Sequence, residues 1–369
     1  MTTIELAEHL KRQRRAIGLN EYKVADLAEL SVERLRQIES GSAPTVWELN
    51  TLASALAVDP SALRSGKLDT DRRKSSARFR APFGIEELTP QDARTLARAA
   101  EAARIHAFLR RLLGERSPSQ VEAVRNVEGI SSRGAIWEQG YSLGRHAREH
   151  LAPRHAAILS VQKLLESQGV LVLLVDLDSK AIDGASLYEQ EASPTILLNR
   201  VSPRVRSRLS RRAVLGHELC HLLHDSSSHR DLLTVVSRSS DRSPTEQRAN
   251  AFAPSFLAPK NWVMRGSGTD RDVVVRIARE WGLTFEGAVW HAKNLKLIPS
   301  TTTEELITER TEVDSGNFEV DAERISPSEL DLEVEPSVLG GSALGDVAIK
   351  AASANLISVG RAVEILQLR

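Results

Sequence analysis

Residues 211–225 read RRAVLGHELCHLLHD, and apolar residues recur in this stretch at the spacing of a helix with a buried face. His217, Glu218 and His221 follow the HExxH pattern inside it. Because residues four apart share one face of a helix, the two imidazoles can close on a single metal ion. Glu218 then borders the open side of that ion and can handle a proton. Alone, the motif leaves two interpretations open: a zinc site, or a buried helix whose histidines are hydrogen-bonded.

A second stretch supplies the third ligand that decides between them. Residues 244–259 read PTEQRANAFAPSFLAP, a helix that its first proline can begin and its last proline ends. Glu246 lies near the start of this helix, and Asn250 follows one turn later on the same face. Catalytic zinc takes three protein ligands and a water. We therefore predict a Zn²⁺ site in which Glu246 joins His217 and His221, while Asn250 hydrogen-bonds one of the ligands.

These residues resemble the ImmA/IrrE family of zinc metallopeptidases. The resemblance rests on HELCHLL at 217–223, ExxANxFA at 246–253 and FLAP at 256–259, and it covers residues 156–300. It implies a thermolysin-like zincin core in which Glu218 is the catalytic base and the metal ligands are His217, His221 and Glu246. All four positions are intact, so the resemblance predicts an active enzyme.

The composition places this core in a larger globular chain. Its 369 residues carry a formal net charge of zero and one cysteine, which excludes an internal disulfide. No stretch reaches the roughly 20 apolar residues that cross a bilayer, and the first residues lack the apolar segment of a signal peptide. We expect a cytoplasmic protein of the mainly α, α+β class with a small β-sheet and no membrane contact.

Changes in composition along the chain predict five units. They are a helix-turn-helix bundle at 1–66, a basic linker at 67–83, a helical connector at 84–155, the metallopeptidase domain at 156–300 and an acidic extension with a terminal helical segment at 301–369.

The first unit resembles the lambda-repressor-like (XRE) family of helix-turn-helix domains. The resemblance rests on the order Gly18-Leu19, Val24-Ala25, Leu35, Ile38-Glu39, Gly41 and Pro44. It implies that residues 31–39 form a recognition helix. By analogy, Arg34, Arg36 and Gln37 face the major groove of DNA and Lys23 contacts a phosphate.

Two departures from that family leave a second interpretation open. Glu21 stands where the family often has a glutamine, and Glu29 replaces a turn glycine, which predicts local backbone strain. The unit carries no excess of positive charge, and DNA affinity depends mainly on phosphate neutralisation. The alternative to DNA binding is that this helix-turn-helix unit serves in protein docking or dimerisation. The basic residues at 67–80 also have two interpretations: an arm that follows a phosphate backbone, or a solvated linker.

Inside the core, residues 170–175, 184–189 and 195–199 are predicted strands. The family resemblance suggests that strand 195–199 lies beside the cleft and holds an extended substrate by strand addition. Tyr188 is a candidate to contact the oxyanion, with strand packing as the alternative.

A run of arginines precedes the motif at positions 204, 206, 208, 211 and 212. Cations are unfavourable at the positive end of a helix dipole, so an acidic group should lie against them. Substrate, a nucleic acid and the acidic residues at 304–335 are the candidates. We hypothesise that this acidic tail folds back on the arginines or on the basic linker and holds the enzyme inactive.

The leading functional hypothesis is a zinc endopeptidase tied to a DNA-binding module. It would regulate transcription by cleaving a helix-turn-helix repressor in response to stress, DNA damage or phage, as the family resemblance implies. The expected partners are this protein substrate, DNA and, as a candidate, a second copy of the chain. The alternatives are a transcription factor whose zinc domain senses a ligand or partner, and a toxin–antitoxin or phage-defence component.

Overall fold

Helices make up most of the computed structural model, and one five-stranded sheet lies among them. The structure describes residues 3–16, 19–56, 78–79, 89–115, 134–178, 180–189, 192–225, 233–238, 243–309 and 343–367. This composition of elements confirms the predicted mainly α, α+β class.

The N-terminal helices surround a small apolar core of their own. They are α1 (Thr3–Ala16), α2 (Glu21–Leu27), α3 (Val32–Glu39) and α4 (Val46–Ala55). Arg14 joins α1 to α3 because its guanidinium binds both carboxylate oxygens of buried Glu39, at 2.7 and 2.8 Å. Glu29, in the turn between α2 and α3, has φ of 56°, a conformation that disfavours side chains with a Cβ. The predicted strain at this position is confirmed.

The sheet contains β1 (Arg78–Phe79), β2 (Leu171–Val175), β3 (Ile182–Tyr188), β4 (Thr195–Asn199) and β5 (Leu233–Arg238). The strand order is β1-β5-β3-β4-β2. β3 runs antiparallel to both of its neighbours, while β2 pairs parallel with β4 and β1 parallel with β5. β4 is therefore an interior strand with both edges paired. The expectation that 195–199 accepts a substrate strand was wrong, because a strand paired on both sides has no free backbone groups.

Helices cover both faces of this sheet, and the alternation of apolar residues along β2 explains why. Val172 and Leu174 face one core, whereas Leu171 and Leu173 face the other. The first core contains α6 (Ile136–Leu151), α7 (Val161–Ser167), α9 (Arg208–Cys220), α10 (Pro244–Leu257), α11 (Asp270–Trp281), α12 (Phe285–Asn294) and α13 (Ser300–Thr308). The second contains α5 (Pro90–Leu112), α14 (Ala343–Ser353) and α15 (Val359–Gln367). The short helix α8 (Pro203–Arg206) leads into α9.

Segments that were predicted to lie outside the core contribute to it. The connector helices α5 and α6 pack on opposite sides of the sheet, and Arg78 and Phe79 of the predicted linker form a strand within it. The predicted terminal helical segment is two helices, α14 and α15. Most of the basic linker and most of the acidic tail lie outside the described residues. No helix in the described part of the chain combines the length and apolar character needed to cross a membrane.

Candidate metal centre

The two histidines of the motif lie at the junction between an α-helix and a π-helix. α9 ends at Cys220, and a π-helix begins at His221 and runs to Asp225. Single π turns within helices are rare and frequently mark functional sites. His217 is 6% exposed and His221 is fully buried, so both imidazoles lie within the core and out of bulk water.

The glutamate comes from α10, whose start is fixed by local sequence. Ser243 caps the helix, with its hydroxyl accepting the backbone N–H of Glu246 at 3.4 Å, and Pro244 occupies the first turn. Gly216 lets α10 cross close to α9, since a Cβ there would lie 3.2 Å from the Cβ of Ala253. Glu246 therefore reaches the histidines although it is itself buried.

The three predicted ligands converge. Glu246 Oε2 lies 2.9 Å from His217 Nε2, and Oε1 lies 3.1 Å from His221 Nε2. The two Nε2 atoms are 3.0 Å apart. In a tetrahedral zinc site with bonds of about 2.0–2.1 Å, ligand atoms are about 3.3 Å apart. The cluster therefore fits a zinc ion after an expansion of a few tenths of an ångström, and two imidazoles with one carboxylate are a donor set that catalytic zinc sites use.

The other ring nitrogen of each histidine is held by a hydrogen bond. His217 Nδ1 donates to Asn250 Oδ1 at 3.0 Å, and His221 Nδ1 donates to Asp225 Oδ2 at 2.7 Å. These acceptors place a proton on Nδ1 and leave the Nε2 lone pairs directed at the centre of the cluster. The predicted contact of Asn250 is present. Asp225 was not predicted.

Without a metal ion, the cluster is a strongly coupled acid–base pair. Burial by itself lowers the pKa of His221, but its contacts with Asp225 and Glu246 raise that pKa to about 10. Burial by itself raises the pKa of Glu246, but the two histidines lower it to about 2. A positive charge is therefore favoured at the centre of the cluster, and a divalent cation supplies it in place of a proton.

Glu218 of α9 faces the sheet and is completely buried. Ser186 Oγ of β3 lies 2.6 Å from Glu218 Oε2 and donates to it. Gly184, on the same face of β3, leaves room for the carboxylate, because a Cβ there would lie 3.2 Å from Oε1 and 2.6 Å from Leu197 O. Ser186 and Gly184 therefore fix the carboxylate from the side of the sheet. Sequence analysis missed both residues, since strand register is not visible in a local pattern.

Tyr188 lies two residues beyond Ser186, and so on the same face of β3. It is half-buried at the end of the strand and packs against the core that contains α9. Tyr188 therefore lies on the side of the sheet that carries the cluster, a position that fits both the oxyanion and the strand-packing interpretations.

Two of the arginines near the motif bind neighbouring parts of the fold. Arg204 binds Asp183 at 2.7 Å, and Arg212 donates to backbone carbonyls of Ile158 and Gly282 at 2.8 and 3.1 Å. Asp183 is thus an acidic partner of Arg204, whereas Arg212 is held by backbone carbonyl oxygens. Cys220 is buried, and burial raises the pKa of its thiol.

The predicted DNA-contacting residues are largely engaged with carboxylates. Arg34 makes a two-point contact with Glu48, at 2.6 and 2.9 Å, and also contacts Gln37 Oε1 at 3.4 Å. Arg36 binds Glu21 at 2.6 Å. Lys23 lies half-buried in α2, where its backbone N–H donates to the capping side chain of Asn20. The two arginines at the proposed DNA surface are therefore partly neutralised by neighbouring glutamates.

Together, the HExxH helix and the glutamate from a crossing helix form a buried His-His-Glu cluster that could hold a metal ion. Residues 165–289 match the model of the peptidase M78 family, described as an IrrE N-terminal-like domain. This range contains the whole cluster, and the match supports the ImmA/IrrE resemblance and a metallopeptidase-type function for this segment. No curated protein and no solved structure matched the chain.

Proposed function

We propose that this protein is a zinc-dependent endopeptidase. The observation that carries the proposal is the convergence of His217 Nε2, His221 Nε2 and the Glu246 carboxylate within 3.1 Å of one another, with both Nδ1 atoms already bonded elsewhere. Three electron-pair donors that face one another in a buried site need a cation between them. Family-model similarity over the same residues supports peptide hydrolysis as the reaction.

The residues of this chain divide the chemistry between them. A zinc ion held by the cluster supplies Lewis acidity, which lowers the pKa of a water molecule and polarises the scissile carbonyl. Glu218 is the proposed general base: it takes the proton of the attacking water and delivers it to the leaving amine. Ser186 holds this carboxylate in place, and Tyr188 donates a hydrogen bond to the oxyanion.

The Glu218→Gln variant tests the proposal. It keeps the shape of the side chain and all three ligands but removes the base, so zinc should remain bound while peptide cleavage is lost. Glu246→Gln is the matched control, because the same chemical change at a ligand should release the metal. Cleavage by the Glu218→Gln variant at the native rate would overturn the assignment of the base.

The biological role we propose is proteolytic regulation of transcription, with a helix-turn-helix repressor as substrate. It is supported by the four N-terminal helices on the same chain as the metal centre. The test compares cells containing the native protein or the Glu218→Gln variant, with and without DNA damage, for new peptide termini. A terminus that appears only with the native protein identifies the substrate, whereas identical termini in both strains contradict the role.

Binding of DNA by α3 is a separate part of this proposal. If Arg36 contacts DNA, its ion pair with Glu21 must open, so Glu21→Gln should tighten binding and steepen its salt dependence by about one phosphate contact. Unchanged affinity and salt dependence would favour the docking or dimerisation alternative for the N-terminal helices.

A non-proteolytic transcription factor is the second candidate, and the sheet favours it. β5 pairs with β3 along the edge beside Glu218, which restricts the access of an extended peptide. Operator binding that is identical in the native protein and the Glu218→Gln variant, with no protein processed in cells, would decide for this alternative.

A further inference from the structure

Asp225 contacts the metal centre at a position that neither motif contains. It is the last residue of the π-helix, and its side chain is 14% exposed. Oδ2 accepts the Nδ1 proton of His221 at 2.7 Å, and Oδ1 binds Nη2 of Arg248 on α10. One carboxylate thus joins the two helices that supply the metal ligands.

The π-helix brings Asp225 into contact with His221. It begins at His221 and ends at Asp225, so both residues lie within one wide turn and the carboxylate meets the ring edge opposite the ligand nitrogen. Arg248 then limits rotation of the carboxylate, because a guanidinium bound to the second oxygen fixes its plane.

We propose that Asp225, held by Arg248, is a positioning residue that orients His221 and raises its strength as a metal ligand. It acts through the imidazole and touches neither substrate nor metal. The two histidines are thereby unequal, since His217 donates to the neutral amide of Asn250 and His221 to a carboxylate. A charged acceptor makes an imidazole the more basic ligand, and loss of such partners typically weakens metal binding by about 10–100-fold.

Zinc affinity, measured on the full chain by competition with a chromophoric chelator, tests this role. Asp225→Ala should weaken binding about 10–100-fold. Asp225→Asn keeps an acceptor but loses the charge, so it should fall between Ala and the native residue. Arg248→Gln should weaken zinc binding less than Asp225→Ala. Asn250→Ala is the matched control, because it removes the hydrogen-bond partner of the other histidine, His217.

A residue that merely ended the π-helix would behave differently. Its loss would lower the melting temperature and leave both the zinc affinity and the visible spectrum of the Co²⁺-loaded protein unchanged. Zinc affinity of Asp225→Ala within twofold of native would therefore overturn the proposal. These measurements concern metal binding alone, so they remain decisive even if the native protein cleaves no peptide.

The sheet carries a second inference, which rests on the proposed peptidase function. β3 presents Gly184 and Ser186 to Glu218, and it has β4 on one side and β5 on the other. β5 pairs with β3 from Ile182 to Tyr188, with Val235 opposite Ser186. The strand edge that an extended peptide would use beside Glu218 is therefore occupied by the chain itself.

We infer that β5 is a strap that substrate must displace, and that β1 secures it. β5 lies in the connection between Asp225 and Ser243, so its displacement is confined to the chain between the two ligand-bearing helices. β1 pairs with β5 at Leu233 and Thr234, on the edge away from β3.

A disulfide across the two strands tests this inference. Leu187 and Thr234 lie directly opposite each other, and Leu187 belongs to the core on the face away from the metal centre. Cysteines at both positions are close enough to be joined. The oxidised double variant should bind zinc normally but cleave peptide at least tenfold more slowly than its reduced form. Equal cleavage by the two forms would overturn the strap.

Hydrogen exchange gives a readout that needs no activity. If β5 opens as a strap, amides that bond β5 to β3 should exchange faster than those that bond β4 to β3. Equal protection on the two sides of β3 would contradict the inference. Unequal protection without any cleavage would leave the strap in place and count against the peptidase proposal instead.

Discussion

At the metal centre, a proton and a metal ion compete for the same electron pairs. The pKa of His221 is raised to about 10, so near pH 7 the metal-free cluster holds a proton that the ion must displace. We predict that zinc binding at pH 7 releases about one proton. Calorimetry in buffers of different ionisation enthalpy measures this release. A binding enthalpy that is the same in every buffer would contradict the prediction.

The same shifts determine how the stability of the metal-free protein depends on pH. The raised pKa of His221 stabilises the fold fully below its ordinary value near 6.5, and this contribution is lost as pH rises toward about 10. The lowered pKa of Glu246 stabilises the fold above about 4.5, and its contribution is lost as pH falls toward about 2. The melting temperature of the metal-free protein should therefore fall on both sides of this window.

Ser186 gives a prediction that separates the base from the metal. Ser186→Ala removes the donor that holds the Glu218 carboxylate, so kcat should fall about tenfold while KM and zinc content stay the same. The matched control is Ser193→Ala, which removes another buried serine, one that hydrogen-bonds His106 at 2.8 Å. An equal loss of kcat in both variants would indicate a general loss of stability instead.

The sequence predicted which three residues meet in the cluster because their spacing follows the helical repeat. His217 and His221 are four apart, and Glu246 follows a proline that can begin a helix. Asp225 was missed although it too is four residues from His221, since a π turn cannot be recognised from spacing. Ser186 was missed because its contact depends on the register of a strand that is distant in sequence.

At the scale of elements, the position of α10 depends on α6, a helix of the predicted connector in which the sequence indicated no functional residue. Gly140 and Gly144 of α6 lie against the backbone of α10, where added Cβ atoms would lie 2.3 Å from Arg248 O and 2.4 Å from Phe252 O. The two helices pack along their length at a separation that only glycine permits. Placement of Glu246 therefore depends on α6.

Gly144→Ala should lower the free energy of unfolding by about 2–3 kcal/mol and weaken zinc binding, because a methyl group there must push α10 away. Gly360→Ala is the matched control: the nearest atom to its Cβ is 3.9 Å away, so the substitution should be neutral or slightly stabilising. Denaturant unfolding and chelator competition measure the two effects. An unchanged zinc affinity in Gly144→Ala would show that α10 does not depend on this contact.

Strand order was the least predictable feature of the elements. The apolar patterns located β2, β3 and β4 correctly to within a few residues. They carry no information about which strands are neighbours, so β4 was wrongly expected at the cleft. β1 and β5 were absent from the predictions because two- and six-residue strands in polar surroundings have little periodicity of their own.

At the scale of the whole molecule, the C-terminal helices pack on the same sheet as the candidate metal centre. Leu344 and Val347 of α14 and Ile365 of α15 are buried against the face of the sheet opposite the metal centre. Removing residues 343–369 should therefore lower the free energy of unfolding by about 4 kcal/mol or more, given about 1.5–3 kcal/mol for each large buried side chain. Thermal and denaturant unfolding of the truncated chain measure the loss.

This packing also changes how the acidic tail is best tested. Deleting everything after residue 300 would remove most of α13 and all of α14 and α15 together with the acidic residues, so a change in activity would have more than one cause. Neutral substitutions of the acidic residues between 312 and 335 keep the helices in place. A rise in cleavage or in nucleic-acid binding by that variant supports the inhibitory tail, whereas unchanged behaviour contradicts it.

Metal content after purification and zinc reconstitution tests the central claim most directly. Elemental analysis of the native chain, with Glu246→Ala and Glu218→Gln alongside, should give one zinc per chain for the native protein and for Glu218→Gln, and none for Glu246→Ala when all three remain folded. A native protein that stays metal-free, or a Glu246→Ala variant that keeps its zinc, would contradict the account.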